Sequence, residues 1–288
     1  MPGQCGAPPV GSVELSGGWK LASDNPAFGG LSSLNVEGNR LTALSDAGGL
    51  VQFRIGQFGH ISQAKIMPVP TECGGGKEKT GRDTESLAHD PQSGRWWMGF
   101  EWRNVICRTN EDFTVGERVI QPPEMANWPH TKGAETLLRL RDGRFVVIAE
   151  GAPNGGPIRP VVLFKGDPAE TNTPRTRLGY LPPDGFSPTD ATELPDGRIL
   201  ILNRSFTLTS LFTACVTIID PRTVHAGAVL KGAVIARFEP PAITENFEGI
   251  ASGTENGRTV VWIISDDNFA SWQRTLLLKF ALTEARAN

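Results

Sequence analysis

Seven carboxylates, Glu85, Glu101, Glu135, Glu150, Asp190, Glu248 and Asp266, stand just before or just after short apolar runs. An acid in that place is either a solvated strand end or one member of a site. If the seven converge, their chemistry is that of hard oxygen ligands, which suit a divalent cation such as Ca²⁺. A bound cation of this kind polarises an ester and activates water. Arg103 in EWRN and Arg204 in NRSF would neutralise charge developing on the ester. With these arginines, Glu85 and Glu248 are the candidate catalytic groups. Asp46, Asn203, Asp267, Asn268, Arg159 and His130 are the candidate substrate contacts.

Whether these groups meet depends on the elements that carry them. One pattern recurs five times: a small or acidic residue, an apolar run, a tight turn ending in arginine, then a strongly apolar run. The copies are SSLNVEGNRLTALSD (32–46), ESLAHDPQSGRWWMGFE (85–101), ETLLRLRDGRFVVIAE (135–150), DATELPDGRILILN (190–203) and EGIASGTENGRTVVWIISD (248–266). Their turn arginines, Arg40, Arg95, Arg144, Arg198 and Arg258, are separated by 55, 49, 54 and 60 residues. Glycine beside Asn, Asp or Ser in each turn is hairpin chemistry. The second runs are apolar on both faces and therefore buried on both. A third strand follows in every copy and a weaker fourth in all but the last. Four strands per unit of about 50 residues predicts β-propeller blades.

The last copy lacks a fourth strand, and SVELSGGWKLAS (12–23) is left over near the N-terminus. That segment is expected to complete the last blade and close the ring, which removes exposed sheet edges. The prediction is an all-β chain: one β-propeller domain over residues 13–288, with five four-stranded blades. Six blades, one of them degenerate, is the alternative. The polar, Pro/Gly-rich residues 1–12 read as a disordered leader.

In such a blade the first strand lines the channel, and the second ends at the face where the first begins. Glu85, Glu135, Asp190 and Glu248, with Ser32 in the slot of blade one, should therefore ring the channel mouth. Asp46, Glu101, Glu150, Asn203, Asp266, Asp267 and Asn268 should join them from the second-strand ends. The long connections fall on the same face, where binding usually resides. Arg159 and His130 lie in two of them, His130 as a possible acid or base. The competing reading makes the acids and arginines structural salt bridges between blades, in a non-catalytic module that binds a ligand or partner.

A formal charge of −3 and a pI near 5.9 argue against a nucleic-acid partner. No run of 18 apolar residues predicts a membrane-spanning helix. No GxSxG supports a serine esterase. The expected partner is a small anionic or ester substrate, and the expected state a monomer. The four cysteines show no CxxC spacing. Cys73 and Cys107 fall near the loop end of one blade, so a disulfide between them stands open beside free, buried thiols. If formed, it implies an oxidising compartment.

GGLSSL (29–34) with LSD (44–46), DTESLAHDP (83–91) with FEWRN (100–104), GAETL (133–137), and NFEGIA (246–251) with ISDDN (264–268) resemble the phytase-like family described as "esterase-like activity of phytase". The resemblance runs from about residue 13 to 282. It implies a β-propeller, export to the periplasm or beyond, and hydrolysis of phosphate or carboxylic esters. Calcium-dependent propeller phytases have six blades against five units here, and no catalytic residue is carried over from them.

Overall fold

The computed structural model describes residues 12–56, 59–74 and 79–283. The predicted leader lies outside them, apart from Ser12, which opens the first strand, β1 (Ser12–Lys20). Blade one is β2 (Leu31–Glu37), β3 (Arg40–Ser45), β4 (Gly49–Ile55) and β5 (Ile61–Pro68). Blade two is β6 (Thr84–His89), β7 (Trp96–Phe100), β8 (Val105–Thr109) and β9 (Gly116–Ile120). Blade three is β10 (Ala134–Arg139), β11 (Phe145–Ala149), β12 (Arg159–Phe164) and β13 (Arg175–Tyr180). Blade four holds β14 (Ser187–Glu193), β15 (Ile199–Thr207) and β16 (Leu211–Ile219). The chain then forms β17 (Val229–Leu230) and returns to blade four as β18 (Ala233–Phe238). Blade five is β19 (Phe247–Glu255), β20 (Arg258–Ser265) and β21 (Leu276–Thr283).

Each blade is an antiparallel meander, as its glycine turns require. β1 supplies the missing outer strand of blade five, pairing with β21 from Ser12↔Thr283 to Lys20↔Leu276. The five-bladed expectation therefore holds, and the described residues contain no sixth blade. One departure is β17, which leaves blade four to pair parallel with β13 at the edge of blade three. Two residues of pairing are too short to carry a periodic signal.

The inner strands form a closed ring: β2 touches β6 and β19, and β10 and β14 complete the circle. Between each pair of neighbouring blades lies one apolar cluster, five in all. This is why the second strands are apolar on both faces: each blade is buried against two others. Gly249 marks the close approach of blade five to blade one. A Cβ there would lie 2.9 Å from the Ser33 carbonyl carbon and 3.0 Å from Leu34 N.

A β-bulge recurs at the same place in all five blades. The register of the inner hairpin skips Ser32, Glu85, Glu135, Thr189 and Glu248 in turn. A bulged residue leaves the ladder and its side chain is re-aimed. In blade four the skipped residue is Thr189, so Asp190 sits one position further down the channel than predicted. There it is 2% exposed. Its Oδ2 accepts Ile250 N–H of blade five at 3.0 Å and Ser33 Oγ of blade one at 3.3 Å, while Oδ1 accepts its neighbour Ala191 N–H at 2.8 Å. Asp190 is thus a tie across the channel. Replacing Asp190 by Ala strands these buried donors, at about 1–3 kcal/mol each. The expected result is a melting temperature lower by roughly 5–10 °C, a smaller loss for Asp190→Asn, and an unchanged denaturant m-value. An Ala variant as stable as the parent would remove Asp190 as a structural tie.

Candidate functional site

The bulges and the ends of the second strands build one cavity at the channel mouth. In four blades the residue that follows the second strand donates its N–H to the carbonyl two positions before the bulge. The pairs are Asp46 to Gly30, Glu101 to Asp83, Glu150 to Gly133, and Asp266 to Asn246. Bulge and exit residues are thereby locked side by side, two from each blade. In blade four Pro188↔Asn203 corresponds to the Ala134↔Ala149 pair of blade three, so the equivalent of Glu150 is Arg204, which continues the ladder opposite Ser187. Blade four therefore presents a cation where its neighbours present acids.

The cavity has a volume of about 400 Å³. Asp46, Asp83, Glu85, Glu101, Glu135, Glu150, Glu248 and Asp266 line it, together with Arg204, Trp102, Thr131 and Asn268. Eight carboxylates thus face one guanidinium. Arg204 Nη1 donates to Glu248 Oε1 at 2.5 Å and to Asn246 Oδ1 at 2.7 Å, and Nη2 lies 3.5 Å from Glu150 Oε1. Lys132 approaches Glu150 at 4.0 Å with its side chain largely in solvent. Asp266 accepts from Asn268 N–H at 2.6 Å and from Asn246 Nδ2 at 3.2 Å.

Five of the acids gather on blades two and three. Asp83, Glu85 and Glu101 each place a carboxylate oxygen within 4.8 Å of the others, and so do Glu101, Glu135 and Glu150. The two trios share Glu101. Purely oxygen donors at this spacing fit a hard divalent cation better than a soft one.

Without such a cation the acids cannot all ionise. Burial, then the charges of Glu248, Glu101, Asp83 and Asp46, push the Glu85 carboxyl well above its ordinary range. Burial, then Glu85, Glu101, Glu150 and Glu248, do the same to Glu135. Burial raises Glu101 to about 7 against the pull of a hydrogen bond with Glu135. It raises Glu248 to about 7 despite Arg204, and Asp266 to about 8 with the help of Glu248. Between them the mouth groups hold protons near neutral pH.

The structure distributes the other predicted residues differently. Asn203 is fully buried: Tyr180 Oη donates to its Oδ1 at 2.7 Å, and its Nδ2 donates to the Ile201 carbonyl at 3.0 Å. Asp267 accepts Gly30 N–H at 3.0 Å, Phe269 N–H at 3.1 Å and Thr275 Oγ1 at 2.9 Å, so it shapes the loop instead of facing the cavity. Arg159 donates to the Gly156 carbonyl at 2.8 Å, away from the mouth. Arg103 and His130 line an adjoining groove. Asn268 does line the mouth. Two contributors escaped the sequence reading. Asp83 was passed over because it precedes the strand. Thr131 belongs to a long loop with no periodicity. Cys73 and Cys107 form a disulfide with Cα atoms 5.4 Å apart, tying the 70–82 connection to blade two.

The chain is thus a five-bladed β-propeller with carboxylates lining its channel mouth. Residues 26–269 match the family model described as "Phytase-like: Esterase-like activity of phytase", and the chain belongs to that family. The description points to a hydrolase, and the two trios are groups that could hold a metal ion. No curated protein sequence matches the chain. Among solved structures, the RS223-β-xylosidase aligns with TM-score 0.50 and 11% identity over 91% of this chain and 94% of that one. A luciferin-regenerating enzyme aligns with TM-score 0.49 and 8% identity over 96% and 98%. A chain of hydrazine synthase from Kuenenia stuttgartiensis aligns with TM-score 0.44 and 17% identity, over 82% of this chain and 64% of that one. At such identities the likeness is one of fold alone.

The raised carboxyls set a pH dependence. Their folded-state values lie above the ordinary 3.8 to 4.5, so from there up to about pH 8 the metal-free folded state holds more protons than the unfolded chain. Stability then falls as pH rises through that window. Metal-free protein is expected to melt several degrees higher at pH 5 than at pH 8. A divalent cation should raise the melting temperature at pH 8 and do less at pH 5. A flat metal-free profile from pH 5 to 8 would show that the acids do not repel one another as the geometry requires.

Proposed function

We propose that the protein is a metal-dependent ester hydrolase that works at the channel mouth, with Ca²⁺ as the metal and phosphate esters as the preferred substrates. The observation that carries this reading is the pair of carboxylate trios sharing Glu101, set in a cavity with a single guanidinium. Asp83, Glu85, Glu101, Glu135 and Glu150 would hold the cation. When bound, it supplies Lewis acidity toward an ester oxygen and a water of lowered pKa. A bound divalent cation would give an anionic ester a positive centre opposite Arg204, which favours a phosphate over a neutral carboxylic ester.

The protein's own part is binding, orientation and proton holding. Arg204 is fixed by Glu248, Asn246 and Glu150, so its position is set before substrate arrives. A preorganised guanidinium of this kind takes up negative charge without rearrangement. Glu248, with a pKa raised to about 7 in the metal-free state, is able to hold or release a proton beside it. The Cys73–Cys107 disulfide supports a periplasmic or secreted location.

The test is hydrolysis of phosphate and carboxylic esters by purified protein, chelated and then resupplied with Ca²⁺, Mg²⁺, Mn²⁺ or Zn²⁺ in turn. Activity is expected to vanish on chelation and to return with Ca²⁺. Glu101→Gln, which weakens both trios, should lower kcat/KM by about 100-fold or more. Full activity after chelation, or no turnover of either ester class with any of the four metals, would overturn the proposal. A Ca²⁺-dependent rise in melting temperature without turnover would make the mouth a binding site only.

A further inference from the structure

Beside the mouth lies a second concavity of about 590 Å³, a groove on the outer side of blade two. Trp102 lines both, so its indole is the wall between them. It is also the only aromatic residue among the described residues that line the mouth cavity, and it follows directly on Glu101, the acid shared by both trios. The rest of the groove is an apolar floor of Val105, Val119 and Ile120 with Arg103, Gln121 and His130 at its edge.

The turn that carries Trp102 is held from every side. Asn104 adopts a φ of +49° and donates its N–H to the Glu101 carbonyl at 3.1 Å. Its side chain donates to the Trp128 carbonyl at 3.0 Å. The Trp102 carbonyl accepts His130 Nδ1 at 2.6 Å, and the Arg103 carbonyl accepts Gln121 Nε2 at 2.9 Å. Each of the three carbonyls from Glu101 to Arg103 is thus engaged. The His130 ring stacks on the indole at 5.7 Å and 30°. Even so, 39% of Trp102 stays exposed. Other exposed aromatics, such as Trp272 and Phe269, line neither concavity. A large apolar ring at the rim of a charged cavity, carried on a braced turn and stacked against His130, presents a flat face at reduced entropic cost, which is the property of a stacking platform.

We propose that Trp102 is the stacking platform for a ring carried by the substrate, the ring lying in the groove while its ester reaches the carboxylates. The inference rests on the hydrolase reading for the ester, but the platform itself is a binding site and is testable without turnover. An aromatic ring and a sugar ring share the flat face that stacks on indole, and Gln121, His130 and Arg103 offer polar contacts to ring substituents.

The experiment compares phenyl phosphate, glucose 1-phosphate and methyl phosphate on Ca²⁺-loaded protein, with the parent, Trp102→Ala and Trp102→Phe. Trp102→Ala is expected to raise KM for at least one ring ester about tenfold, with a smaller change in kcat. The ratio of kcat/KM for that ester to kcat/KM for methyl phosphate should fall by a similar factor. Trp102→Phe, which keeps a ring face, should stay within about threefold of the parent. Loss for phenyl phosphate alone assigns an aromatic ring, and loss for glucose 1-phosphate alone a sugar. An unchanged ratio for both ring esters, or equal losses in the Ala and Phe variants, would overturn the platform. If the parent hydrolyses none of the three, the hydrolase reading fails by itself, and calorimetric Kd values for phenyl phosphate and glucose 1-phosphate decide the platform. A tenfold weakening of either by Trp102→Ala supports it; Kd values that Trp102→Ala leaves unchanged for both esters, or binding of neither ester by the parent, overturn it.

Discussion

The ring closes through an antiparallel ladder between the two ends of the chain, β1 against β21. Without it, blade five would present the unpaired edge of β21, and the apolar cluster it shares with blade four would lose Val13. A propeller has no central core; its apolar contacts are five wedges, and each wedge exists only while both its blades stay in place. Closure therefore sets the spacing of the inner strands everywhere, not only at the seam. Gly249 and Asp190 serve the same end on the channel side, one by allowing backbone to touch backbone, the other by bridging blades five and one.

That fixed spacing makes the mouth electrostatically costly. Bulges aim Glu85, Glu135 and Glu248 out of the ladder, and the exit residues bring four more acids beside them. A flexible loop would let such groups swing into water. Here the exit residues are pinned by backbone hydrogen bonds, and the repulsion is met by protons, by Arg204, or by a bound cation. The predicted residues divide between two structural settings. Asp190, Asn203, Asp267 and Arg159 make the hydrogen bonds that hold blades and loops. The acids of blades two and three instead gather oxygen beside oxygen, in two trios that share Glu101.

Most of the fold was legible because it repeats. Five turn arginines, paired apolar strands and one orphan strand are enough to count blades and to close them. The acids at the channel mouth were legible in every blade except the fourth, apart from Asp83. In blade four the reading matched Asp190 and Asn203 to the acids of other blades, whereas the structure uses Thr189 and Arg204. The information was present: Arg144 and Arg198 are 54 residues apart, and adding 54 to Glu135 and Glu150 gives 189 and 204. An acid near the expected place outweighed the spacing. Asp83 was missed for a different reason. A bulge turns the residues around it, so a side chain before the strand can enter the channel, and no period of two reveals that.

The one-residue shift in blade four changes what the mouth is. With an acid there, the ring would be uniformly negative and the cation trios would have no counterpart. With Arg204 there, the cavity is polarised: carboxylate trios on blades two and three, a guanidinium braced by Glu248 and Asn246 between blades four and five. Under the proposed function, a cation held by the trios and Arg204 would face a bound anion from two sides of the mouth. Trp102 stands on the rim of blade two, between the mouth and the outer groove. The polarity of the mouth follows from which residue each blade sends to its bulge and its exit, and Trp102 reaches the rim because it follows Glu101.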